Sequence, residues 1–399
     1  MSEPVAIARP VPRWLHVGAV AVASVTFVML AVGQLVTSFR AGMADPVWPT
    51  EPWYLVSNYK LDLGYLIEHG HRILGWILGG LITVLVVVLM AGERCAKTKW
   101  AGLLGVVVLL AGYGEFHKGL IGQRDTPPSE VKLPIAATAV TLAGLGLALG
   151  STAYGVLTRS CGARIRLLGV CALAAVMVQG LLGGFRVKLN ELVGTDLAAV
   201  HGIFAQIVFG LLVSLAVVTA RSPALARAST LVRVGAVVVA VTLFVQVVWG
   251  AVVRHAPTVL SQKMHFLTAF LATGFVVWLV LRVVSDPAAK ARVRVGVHLL
   301  SALLLFQVYL GVEAWMEKFG QGVPSDLVAV TKENAAIRTL HALVGSALLA
   351  TAVGLAVRVR QRGASPVPRT EDGEAVVAAG TDRPVLVGAG ASQPGDPTC

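Results

Sequence analysis

Charge is what this sequence has least of. Only 14% of its 399 residues are Asp, Glu, Lys or Arg, while 56% are hydrophobic. A water-soluble fold with a charged shell is hard to build from that mixture, and a membrane is the natural solvent. Cysteine is scarce as well. The four thiols, Cys95, Cys161, Cys171 and Cys399, fall in inner loops, an inner helix end and the tail of the topology derived below. That excludes a disulfide-stapled scaffold and leads to an expectation of reduced cysteines. No soluble domain gathers the basic residues, so the net charge of +12 does not indicate a nucleic-acid surface.

In place of charge the sequence has long apolar runs of about 18 to 25 residues, each able to cross a hydrocarbon core of roughly 30 Å. Ten are recognised, near residues 14–37, 66–91, 100–121, 132–157, 166–185, 197–220, 233–253, 264–284, 295–313 and 337–358. The first is longer than a secretory h-region and leads into an informative loop, so it is kept as a helix of the mature protein. Orientation follows from the basic residues, because short loops rich in Lys and Arg stay on the cytoplasmic side. With the N-terminus inside, inner segments carry 20 Lys and Arg against 8 Asp and Glu, and outer segments carry 13 of each. Arg94, Lys97 and Lys99 mark one inner loop; Arg159, Arg164 and Arg166 the next; Arg221, Arg227 and Arg233 the third; Arg282, Lys290, Arg292 and Arg294 the fourth. The loops around Asp45, Glu191, Pro257 and Asp326 are then outer. Both termini are cytoplasmic, as expected of a protein of the bacterial inner membrane. Residues 363–399, rich in Gly, Ala, Pro and Asp without apolar periodicity, are expected to form a disordered cytoplasmic tail.

The runs also show an internal repeat, a pair of helices joined by an outer loop. Each outward-running helix ends with a Gln (Gln34, Gln179, Gln246 or Gln307), and each following inward-running helix begins with a His (His71, His201, His265 or His341). Three of the Gln sites read Gln-x-x-x-Gly, ending at Gly183, Gly250 and Gly311. Four units imply two halves of two. The His spacing is 130 residues in the first half and 76 in the second. The excess matches two helices with their loops, so residues 100–157 are assigned as an insertion. The expected organisation is all-α, with a first half over 1–220, a second half over 221–362 and the tail.

The repeat sets the four histidines at a similar membrane depth, each followed one turn later by a small residue: Gly75, Ala205, Ala269 or Gly345. A flat macrocycle standing against a helix needs such room. A lone membrane His is more often a packing residue, but packing gives no reason for four matched depths. Polar side chains inside a membrane tend to face the bundle interior and mark function. Imidazole suits haem iron, zinc or copper. With no accompanying Cys, paired His on facing helices suit a six-coordinate haem, and two pairs permit two haems. His16, His69, His117, His255 and His298 are weaker candidates, and the Gln residues are expected to join helices by hydrogen bonds. Arg72 and Arg254, at the outer boundary, could pair with haem propionates. Glu68 lies three residues before His71, on much the same helix face.

These residues resemble the haem A synthase family of cytochrome oxidase assembly enzymes. Glu68-His69-Gly70-His71-Arg72-Ile73-Leu74-Gly75 resembles the family's Glu-x-x-His-Arg helix start. Gln179-Gly180-Leu181-Leu182-Gly183-Gly184-Phe185-Arg186-Val187 is similar to its Gln-Gly-x-x-Gly-Gly segment, and Ala41 to Pro49 is similar to its first outer loop. The resemblance covers residues 14–358 without the inserted pair. It implies a membrane oxidase that converts the C8 methyl of haem O into the formyl group of haem A by successive oxidations. It further implies that His71 and His201 receive the substrate haem, that His265 and His341 hold a resident haem b that carries electrons, and that Glu68 is catalytic. Two features depart from the family: ten helices where many members have eight, and no cysteine between Phe39 and Leu63. The lipid bilayer, haem O, a haem O synthase and an electron donor are the expected partners, nucleic acid is not, and a homo-oligomer is compatible. The rival readings are a di-haem b-type electron-transfer cytochrome and a transporter, although transporter repeats are often inverted and these run in one orientation.

Overall fold

The computed structural model describes residues 11–58, 60–220, 228–322, 324 and 327–361, together with two short strands, Val376–Val377 and Val385–Leu386, that pair antiparallel. The rest of the expected tail, the basic markers Arg221 and Arg227, and Asp326 lie outside the described residues.

The described chain runs α1 Arg13–Ser38, α2 Pro52–Ser57, α3 Leu63–Ala91, α4 Ala96–Ile121, α5 Ile135–Leu157, α6 Ala163–Lys188, α7 Asn190–Val193, α8 Asp196–Thr219, α9 Thr230–His255, α10 Val259–Val284, α11 Pro287–Phe319 and α12 Lys332–Arg358. All but the short α2 and α7 are long and apolar enough to cross a membrane, which gives ten candidate spans. The starts of five of them, α3 and α9 to α12, are set by side-chain caps that satisfy orphan main-chain donors, and hydropathy does not register caps. The Asp62 carboxylate accepts from Tyr65 N before α3, and Asp286 accepts from Ala289 N before α11, where Pro287 fills the first helical position. Thr258 and Ser261 cap α10 reciprocally, and Thr331 accepts from Asn334 N before α12. Helix α11 therefore begins well ahead of the apolar run near 295.

Helix contacts close into two rings. Helix α1 packs on α3, α3 on α6, α6 on α8 and α8 back on α1; α9 to α12 form the same circuit. Each ring surrounds its own apolar core, with Ile82, Leu173 and Leu212 in the first and Val239, Val276 and Leu300 in the second. The rings meet where α12 touches α1 and α8, and where α8 touches α9. Helices α4 and α5 lie outside the first ring, against α3 and α6. They approach each other so closely that a Cβ on Gly105, Gly112 or Gly144 would lie 2.2–2.5 Å from the partner's main chain. Small residues allow such approach where lipid supplies no hydrophobic drive between helices. Large apolar side chains such as Val84, Phe270 and Leu305 face outward and exposed, which suits a lipid bilayer environment.

Antiparallel succession puts the starts of α3, α8, α10 and α12 at one end of the molecule, which holds the four histidines. At the opposite end Arg166, counted above as a loop marker, is buried in an ion pair with Glu93, and Ser160 Oγ donates to the same carboxylate. Cys161 and Cys171 are free. Cys95 is disulfide-bonded, a departure from the expectation of reduced thiols, since compartment arguments say nothing of which sulfurs the chain brings together.

Candidate functional site

His71, His201, His265 and His341 are the ninth, sixth, seventh and tenth residues of α3, α8, α10 and α12, a similar depth in each. The structure brings them together in two pairs. The rings of His71 and His201 have centroids 6.4 Å apart at an interplanar angle of 79°; those of His265 and His341 are 6.4 Å apart at 82°. A metal between two imidazoles, with bonds of about 2.0 Å and about 1.1 Å from each nitrogen to its ring centre, would separate the centroids by about 6.2 Å. Among the described residues no three His, Cys, Asp or Glu side chains group as a metal site. Two nitrogens alone half-fill a tetrahedral zinc site, whereas a tetrapyrrole brings four equatorial nitrogens of its own and needs only two axial ligands.

Each imidazole rests on a glycine of the preceding span. An ideal Cβ on Gly33, Gly183, Gly250 or Gly311 would lie 2.9, 2.9, 3.2 or 3.1 Å from Cε1 of His71, His201, His265 or His341. The glycine of Gln-x-x-x-Gly is thus the seat of the ring. The Gln side chain sits on the ring nitrogens: Gln179 Nε2 is 3.2 Å from both in His201, and Gln246 and Gln307 Nε2 lie 3.1 and 3.2 Å from Nδ1 of His265 and His341. Gln179 Oε1 and Gln307 Oε1 are buried without a partner. A half-turn of either amide lets that oxygen accept from an Nδ1–H, which leaves the Nε2 lone pair free for a metal.

Helix α1 breaks the expected pattern. The residue four before its glycine seat is Met29, and Gln34 lies one residue past Gly33, where it accepts from Arg254. The small residue one turn after a His also has a different neighbour from the one expected. A Cβ on Gly75 would meet the Met29 methyl at 3.4 Å, and one on Gly345 the Gln307 amide nitrogen at 3.2 Å. These glycines make room for the facing side chain.

Beside the first pair lies a buried polar cluster. Glu68 and Asp45 are 4% and 3% exposed. The Glu68 carboxylate accepts from Asp45 N at 2.8 Å and from Arg72 Nη2 at 2.7 Å. Arg72 also donates to the main-chain oxygens of Asp45 and Val47, at 2.6 and 2.8 Å. His69 packs on Tyr65, 3.3 Å from the Asp45 carboxylate. Helix α4 and the turn after it hold the same loop. Arg124, after α4, donates to Pro49 O at 3.0 and 2.6 Å and pairs with Glu51 at 3.0 Å. His117 reaches Thr50 O and stands edge-on to Trp48 and Trp76. Trp48 lies flush on Gly184, so the adjacent glycines Gly183 and Gly184 each seat a ring.

The two arginines singled out from the sequence have their forks engaged: Arg72 in the cluster above, and Arg254 on Gln34 and on Ser38 Oγ at 2.7 Å, where it ties α9 to α1. Sequence reasoning passed over Asp45 as a loop marker and missed Arg186 and Arg338. The Arg186 guanidinium lies against Gly42 and within electrostatic reach of His71, His201 and Glu68. Arg338 stands three residues before His341, where Glu68 stands before His71, and its Nε and Nη2 are buried without partners. The equal offset from a ring-bearing His was the signal for Arg338; Arg186 lies within the quoted Gln179 segment. His16 instead lies 3.1 Å from Ala216 O. Compared with known protein families, curated proteins and solved structures, the chain shows no significant match.

Proposed function

We propose that this chain is a haem A synthase, an integral membrane oxidoreductase of two pseudo-repeated four-helix halves. It would hold haem b between His265 and His341 and oxidise the C8 methyl of haem O, received between His71 and His201, to a formyl group. The observation that carries the reading is the pairing of four glycine-seated imidazoles at 6.4 Å, twice over. Haem b when bound supplies one-electron chemistry. The chain supplies the rest. The histidines would hold the two haems, and Gln179, Gln246 and Gln307 would orient three of the rings. Glu68, held between Asp45 N and Arg72, would stabilise developing positive charge or exchange a proton at the substrate. Arg186 and Arg338 carry donors with fewer internal claims than Arg72 and Arg254, and suit haem carboxylates. The concentration of basic residues at the opposite end supports an outer location for this one.

The near-identical ring geometry also favours a second reading, a di-haem b-type cytochrome without haem-modifying activity. The environments differ, however: Glu68 and Asp45 stand by one pair, and Arg338 replaces Glu68 by the other. Co-expression with a source of haem O, followed by mass analysis of extracted haems, tests the proposal. Haem A or its hydroxylated intermediate is expected; two unmodified b haems alone would favour the cytochrome. His265→Ala and His341→Ala should each abolish the resident low-spin b spectrum. Full retention in both variants would remove that assignment.

A further inference from the structure

The four histidine seats are alike except at one position. His201, His265 and His341 each carry a glutamine amide on the ring, from the residue four before the glycine seat. His71 has Met29 there, and its Nδ1 is buried without a hydrogen-bond partner. The main chain at Met29 comes within hydrogen-bonding reach of the ring, as that of Gln179, Gln246 and Gln307 does for the other three, so what His71 alone lacks is the side-chain amide. The slot itself suits either residue. Met29 lies over Gly75 as Gln307 lies over Gly345, with clearances of 3.4 and 3.2 Å to the ideal Cβ.

We propose that His71 is the exchange-labile axial ligand of the four and that Met29 keeps it so, making the His71–His201 pair the site through which a haem enters and leaves. This rests on the reading that these pairs hold haem and that the first takes the substrate. A hydrogen bond at Nδ1 fixes an imidazole's tautomer and orientation and raises the basicity of Nε2; without it the ring turns more freely and the metal bond weakens. A thioether is a poor acceptor and cannot supply that bond. A resident redox haem gains from two held ligands, and a haem that must be exchanged gains from one that lets go.

Full-length protein loaded with ferric haem b is mixed with excess apomyoglobin, and haem transfer is followed by absorbance. Wild-type release should be biphasic, with the fast phase missing from His71→Ala. Met29→Gln should slow the fast phase about tenfold or more, the size of an outer-shell ligand effect. Gln307→Met should speed the slow phase by a similar factor, and it decides the matter alone if Met29→Gln does not fold. Release rates unmoved by the swaps would overturn the proposal. Failure of the wild type to take up haem at either pair would overturn it together with the synthase reading. Biphasic release that responds to the swaps, without haem A from supplied haem O, would leave this inference standing and remove only the synthase.

Discussion

Gly183 lies under the imidazole of His201 so closely that an ideal Cβ would be 2.9 Å from Cε1. A methyl group there must displace the ring, and overpacking of this kind costs about 1–3 kcal/mol. Gly183→Ala should therefore lower stability and haem content at the first pair, and Gly311→Ala, with 3.1 Å of clearance, should do the same more mildly at the second. Gly202, beside His201 in sequence, has nothing within 4 Å of its ideal Cβ. Gly202→Ala should be silent or stabilise the helix by about 0.5–1 kcal/mol. Thermal melts with pyridine haemochrome titrations check all three, and equal behaviour of Gly183→Ala and Gly202→Ala would refute the seat.

The Glu93–Arg166 pair makes a different kind of prediction. Both side chains are buried, at 4% and 6% exposure, so removing one partner strands a charge away from water. Glu93→Leu or Arg166→Met alone should cost about 3–5 kcal/mol, whereas the double variant should recover most of that loss. Denaturant titration in detergent gives the coupling; additive single effects would show that the two groups act independently.

Much of this was legible from residue spacing. The ten spans follow from apolar runs, and the partners His71–His201 and His265–His341 follow from a period that residues 100–157 do not share. What spacing could not show is the content of the first long loop. Asp45 meets Glu68 across 23 residues with no periodicity to announce it. The Met29–Gly33 seat was hidden because Gln34, one residue beyond it, offered a more conspicuous match to the Gln pattern. Caps such as Asp286 and Thr331 moved helix starts that hydropathy cannot place.

Helix α4 and the turn after it should act through the loop they hold. Burial opposes ionisation of Glu51, but hydrogen bonds from its own main chain and from Arg124, together with Arg124's charge, outweigh it and hold the carboxyl below its ordinary 4.5. A group depressed on folding contributes stability that is present above its unfolded value and is lost as pH falls through the folded one. The loop should therefore loosen below pH 4.5, and Glu51→Gln should abolish that transition. A spin label on Met43→Cys, in a Cys161→Ser/Cys171→Ser background that removes both free thiols, reports it by its mobility. An identical acid transition in Glu51→Gln would assign it to another group.

Glu68 separates chemistry from haem retention. Its two oxygens accept from Asp45 N and from Arg72, so Glu68→Gln removes the negative charge and turns an amide NH₂ toward one of those donors. The mismatch should cost about 1–3 kcal/mol locally and relax the loop at Asp45, without touching His265 or His341 in the other ring. Loss of a positioned acid–base group typically slows a proton-coupled step about 100-fold or more. Haem A formation should accordingly stop or stall at the hydroxylated stage while the resident low-spin spectrum stays intact. Matched membranes of wild type and variant, analysed by haem extraction and mass, provide the comparison. Wild-type yields of haem A from Glu68→Gln would exclude this carboxylate from the reaction, and loss of the second-ring haem would show that its role is to hold the structure together.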